Sequence, residues 1–265
     1  MIHGWLNLNK LIGISSAQAV ARVKGIFGIK KAGHLGTLDP LASGVLPIAL
    51  GEATKTIPYL SCDLKVYDFT IKWGEQRTTD DLGGDIIRTS DIKPRQVKIH
   101  ELKLISVDTI NNSANFSMMC GSGVYVRSIA RDLGIALNCF GHITKLRRTM
   151  VGDFRENESV TIEQLAERNT ITYSPITKGD TGVIEGTGSN AKSFIIPIES
   201  ALKSMFKIEI SPEDAGKIRK GQEVVLNNLR NLKNYDICCT IVGSVPIVIC
   251  SFIYGCVKPI RVFNI

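Results

Sequence analysis

The stretch HLGTLDPLASGVLPIALG, residues 34–51, sets a single carboxylate in a loop that carries no other acid or permanent charge. Asp39 stands directly before Pro40, with Gly36 and Gly44 on either side, and the apolar run VLPIAL follows as a strand. Pro40 biases Asp39 away from helical backbone. The glycines remove side chains, so the backbone of another molecule can come close. An ordinary Asp-Pro turn also accounts for the local pattern. A phosphate-cradling loop does not, because the stretch has neither a G-K-[ST] ending nor G-x-G-x-x-G spacing.

Working outward, WLNLNK (5–10) alternates as a short strand, and LIGISSAQAVARVKGIFGIKK gives a turn and a helix. Ser15 or Ser16 can cap that helix, with Val20, Val23 and Phe27 at helical spacing. After the loop, GEATK reads as a polar turn. VYDFTIKWG (66–74) alternates strictly, placing Tyr67, Phe69, Ile71 and Trp73 on one face of a strand. QVKIHELKLISV (96–107) and ANFSMMC (114–120) read as further strands. VYVRSIARDLGIAL (124–137) starts a helix with Val126, Ile129 and Leu133 in one stripe, and TIEQLAER reads as a short helix. TYSPITKGDTGVIEGTGSN (172–190) has the composition of a linker. Beyond it, SPEDAGKIRKG reads as a short capped helix ending at glycine, followed by short apolar strands. The expected division is therefore a domain over 1–190 and a small β-rich domain over 191–265.

The 265 residues include 44% hydrophobic residues, enough for a real core and too many for a disordered chain. Lys and Arg total 32 against 25 Asp and Glu, a net charge of +7, which suits a polyanionic partner. The excess is spread along the chain: from Phe194 onward there are nine basic and six acidic residues. None of the seven cysteines has C-x-x-C spacing, which argues against a zinc or dithiol site. There is no signal-peptide pattern and no apolar run of membrane-spanning length, so reduced thiols and a cytoplasmic location are expected.

Arg127 lies in the first turn of its helix, where a cation opposes the helix dipole unless it holds an anion. If that anion is Asp39, the pair keeps the carboxylate ionised, fit to act as nucleophile or base. Tyr67 and Tyr125 read equally as core aromatics or as rings beside a cleft. Lys145, Arg147 and Arg148 cluster around Leu146, as a solvated face or a phosphate contact. Asp80 and Asp81, neighbours in a Gly-rich turn, read as turn-solvating acids rather than a glycosidase pair.

Taken together, LNKLIGISS, AGHLGTLDPLASGVLPIALGEATK, CGSGVYVRSIARDLG, TKLRRTMVGDF and SPEDAGKIRKGQEV resemble the TruB family of tRNA pseudouridine synthases. The resemblance implies an α+β pseudouridine synthase fold with a mixed, largely antiparallel central sheet, and a small C-terminal PUA-like β-barrel. It implies isomerisation of the T-loop uridine (position 55) of tRNA, with the T-arm as partner, no cofactor or metal, and a monomer. It matches Asp39, Tyr67 and Arg127 to catalytic positions, and Tyr125, Leu146 and His34 to substrate-pocket positions. Lys10, Arg147 and Arg148 are expected to help bind the RNA. Three departures stand out. Leu11 replaces a usual proline, Thr78 replaces an acid, and DIIRTSDIKPRQVKIHELKL crosses directly where the family carries several tens more residues, including an RNA-clamping flap. Two other readings compete: a non-catalytic RNA-binding protein, and a nucleotide-binding enzyme.

Overall fold

The computed structural model describes residues 2–60, 64–75, 77, 96–168 and 190–265. Thr78, the Asp80–Asp81 turn, Cys62, most of the direct crossing and nearly all of the linker lie outside the described residues.

One sheet dominates. Strands β1 (Gly4–Lys10), β3 (Ala42–Leu50), β4 (Lys65–Trp73), β5 (Ile99–Asp108), β6 (Ser113–Cys120), β7 (Gly141–Val151) and β9 (Ile195–Ile196) lie in the order β5-β6-β4-β7-β3-β1-β9. Strand β2 (Ala32–His34) joins β3, and β8 (Phe154–Arg155) joins β7. All pairings are antiparallel except β3 with β7, where Ala42, Ser43 and Gly44 pair in parallel with Leu146, Arg147 and Arg148. That parallel junction brings the Asp39 loop beside the basic cluster, an adjacency no local pattern carries.

Three helices, α1 (Ser16–Phe27), α2 (Val126–Ala136) and α3 (Ile162–Glu167), accompany the sheet. Ser15, not Ser16, caps α1, in a reciprocal capping box with Gln18. Ala19, Val23, Ile26 and Phe27 of α1 enter a core with Leu6, Leu8, Leu46 and Ile48, while Val20 is only half-buried. Burying each large side chain there contributes about 1.5–3 kcal/mol. On β4, Tyr67, Phe69 and Ile71 are buried while Asp68 and Lys72 are exposed, as the strict alternation demands. Residues 51–59 wind into a 3₁₀ helix rather than a polar turn. The hydroxyls of Thr54 and Thr56 donate to the carbonyls of Gly51 and Ala53 there, and Thr56 also accepts from the Trp5 indole.

After β9 and the single-turn α4 (Ile198–Ala201), the chain enters a five-stranded sheet. It comprises β10 (Lys207–Glu209), β11 (Val224–Val225), β12 (Tyr235–Val242), β13 (Val245–Ile253) and β14 (Cys256–Val262), in the order β10-β12-β13-β14-β11. Helix α5 (Pro212–Arg219), capped by Ser211, packs against it. The two sheets share a core: Trp5, Val45, Ala49 and Phe154 meet Ile198, Leu202, Cys239, Ile249 and Phe263. No helix among the described residues is long and apolar enough to cross a membrane.

Candidate active site

The Asp39 loop is held at three places by four residues. Upstream, the buried Arg148 guanidinium donates to the carbonyls of Gly36 at 2.9 Å, Thr37 at 3.3 Å and Val45 at 2.9 Å. At the centre, Ser16 Oγ accepts from the Leu38 N–H at 2.8 Å and donates to the Leu38 carbonyl at 2.9 Å. Downstream, the Asp39 carbonyl accepts from Ala42 N–H at 3.0 Å, and the Pro40 carbonyl accepts from Gly13 N–H at 2.7 Å. With its backbone fixed in this way, Asp39 can present its carboxylate only outward.

There it meets Arg127, with Nη2 to Oδ2 at 2.9 Å. The pair closes one side of a cleft of about 450 Å³ lined by Tyr67, Tyr125, Leu146, Lys65, Arg148 and the 36–39 backbone. The placement of a cation in the first turn of α2 thus has its anion. Both side chains remain partly open to solvent, at 38% for Asp39 and 28% for Arg127. Tyr67 is buried at the cleft floor, and burial raises its phenol above the ordinary value while the neighbouring Arg148 charge pulls the other way. Leu146 is buried against β3 and β4, whereas the Tyr125 ring is 57% exposed at the start of α2.

His34 ends β2 next to this loop but outside the cleft lining. Burial, then the Arg148 charge, holds its imidazole below the ordinary pKa, so the ring is neutral at pH 7. Its buried Nδ1 has no hydrogen-bond partner among the described residues.

Of the three basic residues expected to meet RNA, two are buried and the third is partly exposed. Arg148 is 1% exposed and Lys10 is fully buried. Arg147 is ion-paired with Glu156 and also donates to Ser43 Oγ and Asn9 Oδ1. Lys10 Nζ donates to the carbonyls of Leu11 at 3.0 Å and Ile14 at 2.8 Å. Arg148 and Lys10 are thus spent inside the protein, whereas Arg147, on β7 opposite Asp68, lies on the other face of the sheet from the cleft and stays partly exposed.

The sequence pattern did not reveal Lys65 or the two hydrogen bonds of Ser16. Lys65 lines the cleft two residues before Tyr67, on the same strand face, a spacing that could have signalled it. Ser16 contacts a residue 22 positions away, which no local pattern reveals.

Two expected outcomes follow from this scaffold. Ser16→Ala strands a buried N–H and a buried carbonyl, and should destabilise the fold by about 2–3 kcal/mol. Any turnover by the site should fall more than substrate affinity does, because the acid loses its fixed position. A denaturant midpoint and a kcat-against-KM comparison check it. For Lys10, burial and then Arg148 lower the pKa from 10.5 to about 8, partly opposed by Asp39. Between pH 8 and 10.5 the unfolded chain then binds more protons than the folded one, so this group makes stability rise with pH. Lys10→Met should lack that rise, seen as a flatter curve of melting temperature against pH than the parent's over the same window.

The chain that carries this cleft has relatives along its whole length. Residues 24–93 match the TruB family pseudouridylate synthase N-terminal domain, and residues 127–203 match the tRNA pseudouridylate synthase B C-terminal domain. The fold is that of a pseudouridylate synthase. The tRNA pseudouridine synthase B of Wolbachia pipientis subsp. Culex pipiens (strain wPip) is 61% identical over 351 residues, an alignment covering 100% of this chain and 99% of the relative. That of Ehrlichia canis (strain Jake) is 41% identical over 314 residues, covering 100% and 98%. The chain belongs to the TruB family. Both alignments are longer than 265 positions, so the relatives carry residues with no counterpart here. Among solved structures, an H/ACA RNP bound to a substrate RNA containing 2′-deoxyuridine superposes with a TM-score of 0.75 at 24% identity, covering 99% of this chain and 85% of the other. The archaeal box H/ACA sRNP Nop10-Cbf5 complex gives 0.73 at 23%, covering 98% and 85%. Both support the fold.

Proposed function

We propose that this protein isomerises the T-loop uridine (position 55) of tRNA to pseudouridine. The observation that carries the reading is the Asp39–Arg127 pair at 2.9 Å on the rim of a cleft floored by Tyr67 and Leu146. The names of its relatives, tRNA pseudouridine synthase B, supply the substrate class.

The reaction breaks the C1′–N1 bond, turns the uracil and joins C5 to C1′; a proton leaves C5 and one arrives at N1. Oxidation state is unchanged and no group is transferred to a second molecule, so the chemistry calls for no cofactor. The uridine must leave its stack, at a cost of a few kcal/mol. The cleft can take one extruded nucleoside, with Tyr67 stacking on the base and Leu146 and Tyr125 flanking it. Arg127 holds Asp39 ionised and oriented. Asp39 then attacks the sugar or the base, or takes the C2′ proton. His34, neutral and with a free ring nitrogen, stands beside the loop where RNA would enter. Arg148 serves this RNA site from beneath, by fixing the loop, Lys10 braces the turn at Leu11 and Ile14 beside it, partly exposed Arg147 remains a candidate phosphate contact, and Lys65 lines the cleft where a phosphate would come. Residues 1–190 form the catalytic domain in this reading. Residues 191–265 form a PUA-like RNA-binding domain whose first strand, β9, is pledged to the catalytic sheet through Trp5 and Leu6. The enzyme works in the cytoplasm, where its tRNA is.

Tritium release from C5-labelled uridine in a T-arm hairpin tests this, because pseudouridine and uridine have the same mass. Release with the hairpin supports the proposal. A hairpin that binds without release would leave an RNA-binding protein, and micromolar binding of ATP or GTP would favour a nucleotide-binding enzyme.

A further inference from the structure

The proposed chemistry uses no cysteine, yet two of the cysteines come together. Cys238 of β12 and Cys250 of β13 stand directly opposite in the antiparallel register, and their Sγ atoms are 3.4 Å apart. Both thiols are free and fully buried, in a core with Ile208, Ile218, Val248 and Phe252. Directly opposed residues of antiparallel strands have Cα atoms about 4.5–5.5 Å apart, inside the span that a disulfide bridges.

The surroundings suit a two-sulfur site. Cys239 comes next along β12, but it enters the core shared with the large sheet, on the other face, and its thiol donates to the Thr240 carbonyl at 3.4 Å. Among the described residues no group of three His, Cys, Asp or Glu side chains could hold a metal. Bringing the Cys238 and Cys250 sulfurs to a bond length of about 2 Å asks for a small turn of each side chain. The backbone has room to give there. The β12–β13 register shifts between Tyr235 and Cys238, and the β13–β14 register shifts between Ile249 and Cys250. Such irregularities bend a strand locally. The two thiols are also unequal. The hydrogen bond from the Cys250 thiol draws Cys238 below the ordinary thiol value, while that bond and then burial push Cys250 up. Burial pushes Cys239 up to about 12. Cys238 therefore ionises first, and the thiolate is the attacking form of a cysteine.

We propose that Cys238 and Cys250 form an oxidation site, at which a small peroxide produces a disulfide that ties β12 to β13. The Cys238 sulfur attacks one peroxide oxygen, the O–O bond breaks, and water departs to leave a sulfenic acid. The Cys250 sulfur then displaces the hydroxyl of that acid as a second water and closes the S–S bond. The two thiols lose two electrons and two protons in all, and the peroxide takes them up. The hairpin so tied carries Cys239 and Ile249 into the shared core, so oxidation fastens the module that packs behind the large sheet.

Hydrogen peroxide is the probe that tests the proposal. The folded full chain is first treated with iodoacetamide to cap partly exposed thiols such as Cys139 and Cys256. It is then exposed to peroxide, denatured with the remaining thiols capped, and mapped by mass spectrometry. The expected product is a pair of peptides joined through Cys238 and Cys250, lighter by two hydrogens and separated by dithiothreitol. Cys239→Ala should keep the link. The oxidised protein should melt about 5 °C above the reduced one, because a bridge between residues 12 positions apart restricts the unfolded chain. Cys250→Ala should show neither the link nor the rise. Should alanine misfold there, Cys250→Val fills the core and gives the same comparison. A parent that stays reduced at both positions, a link that runs through Cys239 instead, or Cys238 carried to sulfinic or sulfonic acid without a link would each overturn the proposal. So would an oxidised parent that melts no higher than its reduced form.

Discussion

Asparagine at position 39 is expected to silence isomerisation, lowering turnover by about 10⁴-fold or more. Asn keeps the size and one oxygen of the side chain but has neither the charge to attack nor the basicity to take a proton. Affinity for the T-arm hairpin should stay within a few-fold. Stability should barely change: the carboxylate is 38% exposed and its partner 28%, so the ion pair contributes less than about 1 kcal/mol to folding. The backbone bonds that shape the loop, through Ser16, Arg148, Ala42 and Gly13, do not pass through the Asp39 side chain. Tritium release, hairpin binding and a thermal melt, run on one preparation, separate these effects. Release at the parent's rate would remove Asp39 from the chemistry and with it the proposed function.

A methyl group at position 44 should have the opposite profile, wrecking the fold before the chemistry is reached. Gly44 has φ +103°, a backbone shape that side chains rarely tolerate. A Cβ built there would lie 2.2 Å from the Arg148 carbonyl oxygen and 3.0 Å from that residue's backbone N and C. No rotamer relieves a backbone clash. Strands β3 and β7 would have to part at their only parallel junction, and the Arg148 guanidinium would withdraw from the 36–37 carbonyls. Gly44→Ala should therefore cost at least about 3 kcal/mol, a fall in melting temperature of roughly 6–12 °C or more. Gly36→Ala provides the graded comparison. Its φ is +73°, but the nearest atom to a built Cβ is the Arg148 Nη1 at 3.4 Å, so its effect should be smaller.

Much of this molecule was legible from local chemistry. The alternation of VYDFTIKW is enforced by a sheet with one packed face, and it gave β4 and the inward set of Tyr67, Phe69 and Ile71. The pairing of Arg127 with Asp39 was legible as an electrostatic anomaly, a cation at the wrong end of a helix. Strand β7 was not read as a strand, because one of its inward positions is Arg148. A buried guanidinium looks like surface until the carbonyls that receive it are known. For the same reason Lys10 and Arg148 read as surface cations beside Arg147, although both are buried and bonded to the protein's own carbonyls. The 3₁₀ helix at 51–59 was hidden by threonines and a proline that resemble turn residues; it is held in part by hydroxyl-to-backbone bonds.

The shared core behind the large sheet has a bearing on how the molecule could be divided. Trp5, Val45 and Ala49 are completely enclosed in a cluster that Ile198, Leu202, Cys239, Ile249 and Phe263 help to build. Severed from its terminal quarter, the remaining chain would turn an indole and its greasy surroundings toward water on the side away from the cleft. A shortened form is therefore a poor stand-in for the intact protein, and the rear module is as much a lid on the sheet's hidden side as it is a tool of its own.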